Sequence, residues 1–124
     1  MRILICGDRD WINKKLIKET LEKVKESLLK DGDVITVVIE GECRGADIMG
    51  RECAEELKIP VMKFPADWKR FPKAAGPIRN KQMLVEGKPD LILAFHNNIQ
   101  NSKGTKNMIE ISSKAGIKVI LVGE

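Results

Sequence analysis

The chain has 124 residues and 43% apolar content, enough for one domain with its own core and too little for a tandem-domain enzyme. Its 22 Lys and Arg stand against 18 Asp and Glu, a net charge of +4 interleaved along the chain, which suits an anionic ligand without demanding DNA. No apolar run approaches the ~20 residues that cross a bilayer, so no membrane partner and no secretion signal are expected. Cys6, Cys43 and Cys53 form no metal-ligand spacing with one another or with the single histidine, His96. No disulfide framework, metal or cofactor is therefore expected, and a reducing cytoplasm is the expected location.

Taken in chain order, the first strand-like run is Arg2-Ile3-Leu4-Ile5-Cys6. It leads into Gly7-Asp8-Arg9-Asp10-Trp11, where Gly7 allows close approach of a ligand, Arg9 offers a fork of donors and Asp10 is placed to cap a helix. The segment is not GxGxxG, so the standard dinucleotide fingerprint is absent. Trp11, Leu16, Ile17, Leu21, Val24, Leu28 and Leu29 then recur at helical spacing until Asp31-Gly32-Asp33. A second strand is expected over Val34–Ile39.

After it, Glu40-Gly41-Glu42-Cys43-Arg44-Gly45-Ala46-Asp47 sets two glycines around a short excursion that opens a helix running to Leu57. That pattern offers N–H groups and a positive helix end to an anion, with Ala46 leaving the first turn open, Arg44 adding charge, and Asp47 serving as a cap or as an acceptor for a ribose hydroxyl. Cys43 lies in this loop with no histidine partner in sequence and reads as a bystander.

The third strand is expected at Val61–Phe64. The connection from Pro65 to Gly76 is too long for an idle turn. It carries Asp67 and Trp68, the latter a lid over a base or a loop anchor. Gly76-Pro77 should start a helix to about Val85, with Gly87 near its end. This puts Arg79 and Asn80 in the first turn, where an Arg opposes the helix dipole unless an anion sits there. The fourth strand is Leu91–Phe95, followed by His96, read as a loop residue, and by Gly104-Thr105, a further helix start with a hydroxyl. That helix stops at Gly116, and Lys118–Val122 closes the chain's pattern.

Strand and helix alternate throughout, which predicts one α/β Rossmann-like domain over residues 1–124: five parallel strands, order 3-2-1-4-5 favoured over the flavodoxin-like order, helices on both faces. Ligands of such sheets sit beyond the carboxyl ends of the strands. Four helix N-termini with Arg9, Arg44 and Arg79 should converge there on a phosphorylated or carboxylated small molecule.

The five ordered motifs, Gly7-Asp8-Arg9-Asp10-Trp11, Gly41 to Asp47, Pro65-Ala66-Asp67-Trp68, Ala75 to Asn80, and Gly104-Thr105, resemble the YspA-like branch of the SLOG superfamily across essentially the whole chain. The resemblance implies a nucleotide-derived ligand, such as an ADP-ribose-type or cyclic nucleotide signal. It further implies sensor roles in bacterial antiviral defence, or kinship with single-stranded DNA binders and with LOG phosphoribohydrolases. LOG enzymes carry acidic residues just beyond their Gly-Thr; here those places hold Asn107 and Met108, and the first acid is Glu110. A binding protein is therefore expected rather than that hydrolase, although Glu40, Glu42, Asp47 and Asp67 stand as substitute carboxylates for glycosidic cleavage.

On this reading Arg9, Arg44 and Arg79 hold phosphates, and Asp47 or Asp67 takes a ribose hydroxyl while Trp68 covers the base. Trp11, Gly7, Gly41, Gly45, Ala46, Gly76, Pro77, Asn80, Gly104 and Thr105 complete the expected binding set. Since Glu124 follows the fifth strand at once, a stand-alone receptor or sequestering protein is expected. Few aromatics disfavour a nucleic-acid partner. A shallow crevice favours a homodimer or higher oligomer.

Overall fold

The computed structural model describes residues 1–124. In chain order the elements are β1 (Arg2–Gly7), α1 (Lys14–Lys30), β2 (Val37–Glu40), α2 (Ala46–Glu56), β3 (Val61–Lys63), α3 (Ala75–Gly87), β4 (Leu91–Phe95), a short 3-10 turn (Ile99–Asn101), α4 (Gly104–Lys114) and β5 (Lys118–Val122). The five strands form one sheet in the order β3-β2-β1-β4-β5, every neighbouring pair parallel, as the alternation of elements predicts.

Burial on both faces explains why the strands read as unbroken apolar runs. Ile3 and Ile5 of β1, with Val38, Leu91, Leu93 and Phe95, pack under α1 and α2 against Ile17, Leu21, Cys53 and Ala54. The alternate residues Leu4, Cys6, Val37, Ile39, Ile92 and Ala94 pack under α3 and α4 against Met83 and Met108. Each fully buried Leu or Ile contributes ~1.5–3 kcal/mol by leaving water. The central strand β1 therefore anchors both layers, and its carboxyl end is fixed where the chain order reverses. No helix is long and apolar enough to cross a membrane.

Three element starts differ from the sequence expectation. Helix α1 begins at Lys14, not at Trp11, and its cap is Asn13, whose Oδ1 accepts the Leu16 N–H at 3.0 Å. Asp10 does not cap because residues 8–11 turn on Asp8, which accepts the Asp10 N–H with its side chain and the Trp11 N–H with its carbonyl. Strand β2 starts at Val37 rather than Val34. The ladder runs out there: the chain's amino group reaches Val34 O, Thr36 bonds Met1 O, and no strand lies further back to pair. Helix α3 starts two residues before Pro77, because the Phe71 carbonyl accepts the Ala75 N–H and begins the turn early. Pro77 still falls in the first turn, where no helical N–H is lost.

Candidate functional site

Beyond the carboxyl ends of β1 and β4, at the point where the strand order reverses, the loops enclose a crevice of about 510 Å³. That volume lies in the range of small-molecule sites. Its floor is Cys6 and Gly7, with Met83 and Met108 behind; its walls come from the turns after β1 and β2, the Pro65–Gly76 connection, and the starts of α3 and α4.

Of the residues expected to bind, the crevice brings together Gly7, Arg9, Arg44, Asp47, Trp68, Gly76, Pro77, Arg79, Asn80, Gly104 and Thr105. The others lie elsewhere. Trp11 turns inward, 3% exposed, with its ring 5.8 Å from Phe95 and its Nε1 donating to Asn13 O. Its helical spacing thus came from facing the core, not from belonging to the helix. Asp67 is exposed and accepts the Arg70 N–H, closing a turn within the long connection. Gly41, Gly45 and Ala46 sit behind the wall.

Two of the glycines expected to admit a ligand, Gly41 and Gly45, admit the protein itself. A Cβ on Gly41 would lie 2.6 Å from the Arg79 guanidinium carbon and 2.9 Å from Asp47 Oδ2. Gly45 has a φ of 82°, and a Cβ there would strike the backbone of Asp8 and Arg9. Ala46 is not open to approach either: its N–H donates to Asp8 O, and Ile48 N–H donates to Cys43 O, so these two donors at the start of α2 are taken by the chain. Gly45→Ala combines a left-handed backbone with a backbone clash, and a loss of about 2–4 kcal/mol in urea unfolding is expected.

Arg79 shows why an arginine stands in the first turn of α3. It is 7% exposed; NH1 donates to Gly41 O and Nε donates to Asn80 Oδ1 at 3.0 Å. The anion it balances is the protein's own Asp47. Burial pushes the Asp47 carboxyl up to about 6, against the opposing pull of the Arg79 charge and the Cys43 and Gly41 N–H groups. Asn80 continues the chain of bonds, its Nδ2 donating to Gly104 O at 3.1 Å and to Asn107 Oδ1 at 3.0 Å. One network therefore ties the β2–α2 loop, α3 and α4 together. Arg79 and Asn80 are largely spent in holding it.

The groups left facing the crevice are different. Arg9 is exposed and stacks over Trp68 at 5.9 Å. Arg44 pairs with Asp10 at 3.3 Å, both well exposed, a pair worth little. Lys73 and Lys103 also line the cavity and make no salt bridge; both sit in polar loops whose sequence carries no pattern to single them out. The N–H groups of Gly76 and Gly104, in the first turns of α3 and α4, have no backbone partner, whereas Thr105 N–H is held by Ser102 Oγ at 3.1 Å. Thus the starts of α3 and α4, and at α2 the Asp47 N–H, lack backbone partners beside the crevice, while α1 starts away from it.

Among the candidate catalytic carboxylates only Asp47 lines the cavity. Glu40 is buried in the sheet, Glu42 is 2.8 Å from Arg51, and Glu110 is exposed on α4. His96 lines the crevice, but its Nδ1 accepts the Asn98 N–H at 2.9 Å and no acid is bonded to it. Cys43 lies with Sγ 3.7 and 3.8 Å from the Arg79 nitrogens, and burial pushes the Cys6 thiol far up, which keeps it inert.

A family model described as YspA, cpYpsA-related SLOG family matches residues 1–71, more than half of the chain. That span holds the motifs after β1 and β2 and the Pro65–Trp68 motif, while the α3 and α4 starts lie beyond it. No curated protein matches. Among solved structures, the chain is similar to DNA processing protein A (DprA) from Streptococcus pneumoniae, with a TM-score of 0.66 and 15% identity. The alignment covers 97% of this chain and 49% of that one, so the chain spans about half the length of that protein. At this identity the likeness speaks for the fold alone.

Proposed function

Since the chain belongs to the YspA, cpYpsA-related SLOG family, we propose that it is a small-molecule binding protein whose crevice takes a nucleotide-derived ligand, acting as a receptor or by sequestration. The ligand class favoured is an ADP-ribose-type or cyclic nucleotide signal, of the sort used in phage–bacterium defence signalling. The observation that carries the reading is the charge pattern of the crevice. Two helix starts with unpartnered N–H groups and the unpaired Lys73 and Lys103 line one side, a positive surface suited to an anion. Trp68, with Arg9 over its ring, offers a flat apolar face on the other.

In this arrangement phosphates lie against Gly76, Gly104, Lys73 and Lys103, the base stacks on Trp68, and Asp47 accepts from a ribose hydroxyl. Arg79 contributes by holding the wall rather than by binding phosphate. Trp68 is 46% exposed and carries no hydrogen bond, so Trp68→Ala should leave the unfolding midpoint nearly unchanged. Loss of base stacking, ~1–3 kcal/mol, should weaken ligand binding by roughly 5- to 150-fold in a calorimetric titration.

One observation favours a second reading. Asp47 is a buried crevice carboxyl held near 6, the range of an acid or base working at neutral pH. A glycosidase acting on a nucleotide derivative would use it. Native mass spectrometry of the purified protein, followed by chromatography of a nucleotide panel after incubation, tests both readings. A bound mass recovered intact supports the receptor; cleaved product abolished by Asp47→Asn supports the enzyme. Absence of both a bound mass and a product would contradict both readings. The same spectrum gives the subunit number, and a homodimer or higher oligomer is part of the proposal.

A further inference from the structure

Glu40 ends β2, immediately before the loop that forms one wall of the crevice, and it has no exposed surface at all. Its Oε1 accepts the Glu42 N–H at 3.0 Å, while Oε2 is buried without a donor. A bare carboxylate oxygen in a sheet interior is costly enough that it calls for a compensating charge or a proton.

The groups facing it decide which. Glu42 approaches from the loop, Asp47 and Arg51 from α2, and Lys63 is its register partner on β3. Lys63 is exposed. Arg51 is committed elsewhere, its Nε 2.8 Å from Glu42 Oε1 and its NH1 3.1 Å from Glu55 Oε1. The remaining neighbours, Glu42 and Asp47, are acids. Burial, then the adjacent Glu42, push the Glu40 carboxyl well above the usual range, to about 8. A proton held on Oε2 would satisfy that oxygen and let it donate toward the Glu42 carboxylate.

We propose that Glu40 is a positioning residue for the crevice: as a neutral acid it fastens Glu42, and with it the Gly41–Gly45 loop, so that loss of its proton releases the wall carrying Cys43 and Arg44. The loop is held under backbone strain. Glu42 lies at φ 57°, a left-handed backbone that a non-glycine residue keeps only when its surroundings hold it, and Gly45 at φ 82° closes the other end. Apart from Glu40, the loop is tied by Arg79 on the Gly41 carbonyl, by the Asp47 carboxylate on the Cys43 N–H, by the Ile48 N–H on the Cys43 carbonyl and by Arg51 beside Glu42. The proposal rests on reading the crevice as a ligand site, but the latch can be measured without a ligand.

The test is amide hydrogen exchange of Glu42 near neutrality and at pH about 9.5, corrected for the intrinsic exchange rate, in the wild type and in Glu40→Gln. The amide of Gln accepts and donates as the neutral acid does, so protection should fall at least about tenfold in the wild type and hold in the variant. Unchanged wild-type protection, or an equal loss in the variant, would overturn the latch. A parallel titration with ADP-ribose should show affinity falling about tenfold in the wild type alone; equal falls in both proteins would also overturn it. If ADP-ribose binds neither protein at either pH, the ligand reading fails for that probe while the exchange data still decide the latch. Should Glu40→Gln fail to fold, carbon NMR of the wild-type Glu40 carboxyl decides: a midpoint above about 7 supports the latch, and one at an ordinary carboxylate value overturns it.

Discussion

Arg79→Ala is expected to cost about 3–5 kcal/mol of folding stability in urea unfolding, the largest loss among single truncations around the crevice. The substitution does more than delete a hydrogen bond. It leaves Asp47, 6% exposed, without the cation that opposes its desolvation, and it frees the Gly41 carbonyl and Asn80 Oδ1 in a buried place. The Asp47 carboxyl should then rise above its present value of about 6. A second substitution identifies the cause. Arg79→Ala with Asp47→Asn should recover a substantial part of the loss, because the buried charge is gone. If the double variant is as unstable as the sum of the singles, Arg79 is held by packing and not by its charge.

The second large effect concerns pH. Glu40 has its folded-state pKa raised, from 4.5 to about 8, so the folded protein holds this proton more tightly than the unfolded chain does. Its contribution is complete below the unfolded value, falls as pH rises between the two values, and is gone above about 8, with a slope of up to ~1.4 kcal/mol per pH unit. Asp47, raised from 3.8 to about 6, adds a slope of the same sign at lower pH. Glu40→Gln removes the first of these slopes. The variant should therefore gain on the wild type as pH rises, by about 2–4 kcal/mol once Glu40 has ionised, seen as thermal midpoints that separate between pH about 5 and about 9. Parallel midpoint curves would mean that Glu40 is ionised in the folded state at all these pH values.

Much of the fold was legible because each strand advertises its place. Continuous β-branched runs with no polar alternation belong in a sheet covered on both sides, and each of the first four is followed by a helix with a clear stop, such as Gly116 after α4. The strand order was less legible, since β2 and β4 are equally apolar. It rests on both of them pairing with β1, whose residues are buried on either face.

Much of the candidate site was legible for the same reason: in a parallel sheet the turns after the strands meet at one edge, so Arg9, Arg44, Asp47, Trp68 and the α3 and α4 starts had to be neighbours. What the sequence could not disclose was which polar groups satisfy each other. Arg79 reads as an anion binder until the Gly41 carbonyl and Asn80 Oδ1 are seen to take its donors, and Gly41 reads as ligand space until the guanidinium is seen to fill it. Trp11 shows the converse error, since a residue just before a helix can share its spacing and yet point at Phe95. Lys73 and Lys103 were invisible because a lone lysine in a polar loop has no pattern, and its importance comes only from facing a cavity.

The claim that joins these points is that the crevice is a site for a nucleotide-derived anion. Isothermal calorimetry of the wild type against ADP-ribose, cyclic ADP-ribose isomers and cyclic dinucleotides, repeated with Lys73→Ala/Lys103→Ala, measures it directly. The account predicts stoichiometric binding of at least one of these ligands, weakened about ten- to a hundredfold in the double variant and further by salt. Absence of heat with every ligand, from a wild-type protein shown to be folded, would contradict it.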